Sequence, residues 1–259
     1  MGGSIHPSDT GASRPWDDID SPPGFGGRSR ILSRNVYLGT LAALLAALWV
    51  ALAFHPFDRS DWWLENVLLF AAVGLLVSTH RTFPLSKVSY TTIFVFLCLH
   101  TVGAHYTYAE VPYDEAWRNL TGHSFNSAFG WTRNNFDRVV HFSYGLLLAY
   151  PIREVFIRVA NVRGFWGYFL PLDLTMSTSM LYELIEWGAA AAFGGDLGAA
   201  YLGTQGDVWD AHKDMALASL GALISMLITA AVNRRMQRDF AQEWAESIRV
   251  KRRQPLGES

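Results

Sequence analysis

The 259-residue chain is 50% hydrophobic and 14% aromatic but only 17% charged, where a soluble protein averages about 25%. Residues 1–34 and 234–259 hold 11 of the 21 Lys/Arg and 8 of the 23 Asp/Glu, leaving an apolar body of net charge −5. That balance excludes a disordered chain, a nucleic-acid binder and a disulfide-stapled secreted domain, since the single Cys98 can form no internal disulfide.

Residues 1–34, rich in Gly, Pro, Ser and Asp, read as a disordered cytoplasmic tail. A bilayer core takes about 20 apolar residues per helix. The first such run is 35–54, which is rich in Leu and Ala and carries no charge. Further runs follow at 62–78, 88–108, 139–156, 168–193 and 210–232. None alternates with strand period. The sequence therefore predicts an all-α, polytopic bundle of about six transmembrane helices over 35–233, then a basic cytoplasmic tail, 234–259. Ala51-Leu52-Ala53 has the small-x-small form of a signal-peptidase site. The apolar run before it is too long for a signal core, so the segment reads as an uncleaved anchor.

Basic residues orient the bundle. With the N-terminus inside, 16 Lys/Arg fall in cytoplasmic segments and five outside: Arg59, Arg118, Arg133, Arg138 and Lys213. Both termini are then cytoplasmic.

An ionisable group inside a span costs several kcal/mol unless it is paired or faces a cavity. Asp137, His141 and Tyr144 follow i, i+4, i+7 spacing on one face of the fourth helix. Glu183 and Glu186 share a face of the fifth, with Ser179 one turn before. They lie roughly 22 and 27 Å from its inner end. Asp207, Asp210 and Asp214 lead into the sixth helix, His100 and His105 end the third, and Glu65 and Asn66 begin the second. All reach one stratum, the outer leaflet. The plainer reading treats Asp207 and Asp137 as helix-start partners, Arg138 and Lys213 as interfacial ion-pair partners, and His100 as a packing histidine. Glu183 and Glu186 resist it, because no basic residue lies near them on their helix. A glycine-rich loop, 194–206, and an aromatic loop, 109–136 with Trp117, Phe125, Phe129 and Trp131, close this end.

Four strings carry a family likeness: HTVGAHYTY (100–108), RNNFDRVVHFSYGLLLAYPIRE (133–154), YELIEW (182–187) and YLGTQGDVWDAHKDMALASLGAL (201–223). They resemble the YjdF-type family of bacterial inner-membrane proteins over roughly residues 35–235. More distantly, the order Asp-x3-His, Glu-x2-Glu, Asp-x3-Asp looks like the VanZ-like membrane proteins, whose Glu pair usually has a non-acidic second position. The resemblance implies a helical bundle in the cell inner membrane and brings no activity with it.

Three functions fit these residues. The first is metal-assisted chemistry on, or binding of, a lipid or polyprenyl-phosphate headgroup. Asp137, His141, Asp210 and Asp214 then ligate the metal, and Glu183 or Glu186 is the base. Oxygen ligands suit Mg²⁺ or Mn²⁺, and histidine admits Zn²⁺ or Fe²⁺. The second is a proton- or cation-coupled transporter, with Asp173 as the inner relay. The third is a membrane scaffold, an expensive use of seven acids. The bilayer is the expected partner and nucleic acid is not.

Overall fold

The structure, a computed structural model, describes residues 25–193, 204–236 and 240–251, with backbone alone for 25–33 and 193. The described residues fall into two units, one ending at Thr40 and the other beginning at Leu41. The helices are α1 (Phe25–Leu52), α2 (Arg59–Thr79), α3 (Lys87–His105), α4 (Tyr113–Thr121) and α5 (Phe125–Ala128), then α6 (Phe136–Ala160), α7 (Trp166–Phe193), α8 (Asp210–Met236) and α9 (Phe240–Ser247). Among the described residues there is no strand.

The six expected apolar segments fall on α1, α2, α3, α6, α7 and α8. Four of these contain a stretch long and apolar enough to cross a membrane: Arg34–Leu52, Arg59–Thr79, Lys87–His105 and Asp210–Met236. The other two, α6 and α7, are the helices that carry Asp137, Arg138, His141, Arg153 and Glu154, and Asp173, Glu183 and Glu186. Large apolar side chains such as Val67, Leu75, Leu227 and Ile228 point away from the protein interior.

Helix starts follow local chemistry. Asp58 caps α2 by accepting from the amides of Ser60 and Asp61, at 2.8 and 2.9 Å. Ser86 caps α3 through the amide of Ser89. The carboxylate of Glu154 on α6 also accepts from the Ser86 amide at 2.8 Å and the Ser89 hydroxyl at 2.5 Å, tying α3 to α6. Glu154 pairs with Arg158 at 2.9 Å, while Arg153 lies over the ring of Tyr168.

Helix α6 is the hub, packing on α3, α7 and α8, while α7 also packs on α8 and α2 on α3. Its crossing with α8 depends on two glycines. A Cβ on Gly145 would strike the carbonyl of Ala218, and one on Gly221 would strike the carbonyl of Phe142. Small residues at such positions let backbones approach. One core cluster joins Leu69, Phe96, Leu97, Phe136 and Val140 across α2, α3 and α6. A second, at the far end, joins Ala149, Tyr168, Ala222 and Met226.

The segment after α8 holds more than a flank. Helix α9 returns to the start of α7, where the Trp244 ring meets Phe165 edge-on and lies tilted against Tyr168, and Glu243 and Ser247 accept from the amides of Gly164 and Phe165. The aromatic loop contains α4 and α5. Its Trp117, Phe125, Phe129 and Trp131 rings contact one another with centroids 5.0–5.8 Å apart.

Candidate functional site

At the end of the bundle where α2, α6 and α8 begin and α3 and α7 finish, the helices enclose a cavity of about 400 Å³. Seven carboxylates line it: Asp61 and Glu65 from α2, Asp137 from α6, Glu183 and Glu186 from α7, and Asp210 and Asp214 from α8. His100, His141 and Tyr144 line it too, so five helices contribute. Three of the candidates stand apart. His105 turns its Nδ1 to the carbonyl of Leu52 at 2.7 Å. Asp207 and Lys213 pair with each other at 2.5 Å outside the cavity, where Arg138 joins them at 2.5 Å. Asp207 also accepts from the amide of Trp209, forming the turn that starts α8. Lys213, followed by that amide and Arg138, holds the Asp207 carboxyl down at about 2.

At one wall, Arg133, which does not itself line the cavity, places its guanidinium between Asp137 and Asp210 and bonds to both, reaching the carbonyl of Thr204 at 3.2 Å as well. Arg138 also reaches Asp210, at 3.3 Å. These two acids are thus neutralised by guanidinium groups, the geometry in which a buried carboxylate is best tolerated.

No such partner serves the neighbouring group. His141 Nε2 lies 3.6 Å from Glu183 Oε1, beyond hydrogen-bond distance. Glu183 Oε1, Asp214 Oδ1 and Ser179 Oγ are all buried without a hydrogen-bond partner, and Asp214 is only 4% exposed. His141, Glu183 and Asp214 each bring one ligand atom within 4.8 Å of the others. Asp137, Asp210 and Asp214 form a second such set, sharing Asp214. Arg133 already occupies two members of that second set, so the first is the one open to a cation.

The opposite wall is a hydrogen-bond chain. His100 is 2% exposed, with Nε2 3.1 Å from the carbonyl of Glu65 and Nδ1 2.6 Å from the hydroxyl of Tyr108. A carbonyl only accepts, so Nε2 carries the proton and Tyr108 donates to Nδ1. Tyr108 and Tyr182 both lie 3.4 Å from Glu65 Oε2. Tyr108 reaches back because Thr107 and Tyr108 adopt positive φ, 49° and 54°, and because Gly103 has no side chain to displace its ring. Tyr144, deeper in, bonds Thr178 at 2.6 Å.

Sequence reasoning passed over three of these groups. Asp61 lay just before the expected start of the second span. Arg133 was counted with the outer charges, although its spacing of i, i+4 to Asp137 is visible in the sequence. Tyr108 falls within the apolar run 88–108, whereas the third helix ends at His105. Of the glycine-rich loop 194–206, residues 194–203 lie outside the described residues.

Comparison with known proteins agrees with this architecture. The family described as "Predicted membrane protein (DUF2238)" matches residues 37–235. The inner membrane protein YjdF of Escherichia coli (strain K12) is 36% identical over 209 residues, covering 80% of this chain and 95% of the relative. No solved structure matches. A helical chain with apolar spans, matched through its whole bundle by that family, is a member of it: the protein belongs to the DUF2238 membrane proteins.

Proposed function

We propose that the protein is a six-span protein of the cell inner membrane with both termini cytoplasmic, and that its cavity binds a divalent cation which engages the phosphate of a lipid headgroup. The observation that carries this reading is the pair of buried oxygens without a hydrogen bond, Glu183 Oε1 and Asp214 Oδ1, beside His141. Leaving such atoms unsatisfied costs about 1–3 kcal/mol each or more, a cost that a cation removes. His141, Glu183 and Asp214 are the ligands. One imidazole with two carboxylates suits Mn²⁺, Zn²⁺ or Fe²⁺ better than Mg²⁺.

The cavity acids that no guanidinium neutralises would repel a phosphate. A bound cation reverses that local field and polarises the phosphate, the chemistry it contributes here. Arg133 keeps Asp137 and Asp210 fixed as the frame of the site, and Glu186, one turn from Glu183, is placed to accept a proton. Coupled transport would require a polar route through the bundle. Asp173, the inner candidate, is exposed and absent from the cavity lining.

Metal analysis of detergent-purified protein tests this reading. Wild type should hold near-stoichiometric divalent metal, and His141→Ala, Glu183→Gln and Asp214→Asn should lose it. Metal-free wild type after incubation with Mn²⁺ or Zn²⁺ would overturn it.

A further inference from the structure

The cavity differs in character between its interior and its rim. Its carboxylates and His141 gather toward the end where α2 begins. Leu68 lies one turn along α2 from Glu65. On the facing wall, Leu181 and Ile185 sit one turn apart on α7, beside Glu183 and Glu186. All three apolar residues line the cavity and yet are 43%, 53% and 53% exposed, so they form its rim. The packing explains this rim. Helix α2 rests on α3, and α7 rests on α6 and α8, with no substantial contact between α2 and α7. The Tyr182 hydroxyl and Glu65 carboxylate, 3.4 Å apart, reach across this gap.

A side opening between two membrane-spanning helices faces hydrocarbon, not water. Carboxylates lining the inside of the cavity, with exposed apolar residues bordering its side opening, match a molecule with a polar head and an apolar tail. A soluble phosphate would leave Leu68, Leu181 and Ile185 without a role.

We propose that the substrate is a phosphate-bearing lipid that enters sideways between α2 and α7, its head at the carboxylate site and its chain against Leu68, Leu181 and Ile185. This rests on the cation reading above and adds the route of entry and the residues that hold the chain.

The full chain in phosphatidylcholine nanodiscs containing phosphatidic acid and Mn²⁺ tests it, with retained lipid read by native mass spectrometry after extraction into detergent. Metal content is measured on the same samples. Wild type should retain phosphatidic acid selectively over phosphatidylcholine, and excess inorganic phosphate should not displace it. The paired substitution Leu181→Trp and Ile185→Trp, which crowds the opening, should lower retention about tenfold, the loss expected when two or so methylenes lose their burial. That variant should keep its metal. A metal-loaded wild type that retains no phosphatidic acid would overturn the lipid proposal while sparing the cation. So would displacement by inorganic phosphate, or undiminished retention in the paired variant. Wild type without metal overturns the underlying reading instead.

Discussion

Arg133, before the first turn of α6, is bonded to Asp210 at the first turn of α8, with Asp137 held by the other arm of the guanidinium. The side chains of Arg133, Asp137 and Asp210 are 11%, 15% and 6% exposed, so the triad is largely dry. Removing the cation from a buried set of this kind leaves charges without compensation and costs about 3–5 kcal/mol. Arg133→Ala should therefore lower the thermal unfolding temperature in detergent. It also frees Asp137 and Asp210 beside Asp214, so added Mn²⁺ should restore part of the loss in the variant and raise its metal content above that of wild type. Equal cation response in both proteins would contradict this role for Arg133.

The crossing of α6 and α8 gives a second prediction. Because a side chain on Gly145 or Gly221 meets backbone atoms of the other helix, the helices must separate to admit one. Gly145→Ala and Gly221→Ala should each destabilise by about 1–3 kcal/mol, as overpacking does. Gly74→Ala, which meets nothing within 4 Å, should be neutral or mildly stabilising by comparison. Thermal unfolding of the three variants in one detergent separates these outcomes.

The hydrogen-bond chain around Glu65 gives a third. Tyr108 donates to His100, leaving Tyr182 to donate to Glu65. Tyr108→Phe leaves a buried ring nitrogen unsatisfied and should cost about 1–3 kcal/mol. Tyr182→Phe, at the rim, should cost less. Hydrogen exchange at the end of α3 should rise in the first variant and stay unchanged in the second.

The small helices α4 and α5 give a pH prediction. The Asn126 amide, bonded at 2.8 Å, and the Ser124 hydroxyl hold the Asp114 carboxyl below its ordinary value. A depressed carboxyl stabilises the fold above its unfolded value, near pH 4, and that contribution disappears as pH falls through the folded value. Proteolysis within 113–131 should therefore accelerate as pH drops below about 4. Asp114→Asn should be cleaved readily even at neutral pH and lose the acid-dependent step. An unchanged acid step in that variant would assign it to another group.

Much of this was legible in the sequence. Six long apolar segments and the lack of strand period give the helices. The i, i+4 and i, i+3 spacings of Asp137 and His141, and of Glu183 and Glu186, place each pair on the cavity face. The partners of those residues were less legible. Whether an aspartate ligates a cation or rests on an arginine depends on which side chain arrives from another helix, and Arg133 reaches Asp210 from 77 residues away. Tyr108 depended on two residues in left-handed backbone conformations, which no apolar pattern announces. The docking of α9 on α7 was hidden by the basic residues around it, since Phe240 and Trp244 form only a short apolar stripe.

The proposed cation site consists of His141, Glu183 and Asp214. Electron spin-echo measurement on the purified full chain with Mn²⁺ tests it most directly, because it reports nitrogen bound to the metal. Wild type should hold Mn²⁺ tightly, coupled to a single imidazole nitrogen, with the coupling absent in His141→Ala and the bound signal absent in Asp214→Asn. Mn²⁺ that remains free in the presence of wild type, or a nitrogen coupling that survives in His141→Ala, would contradict it.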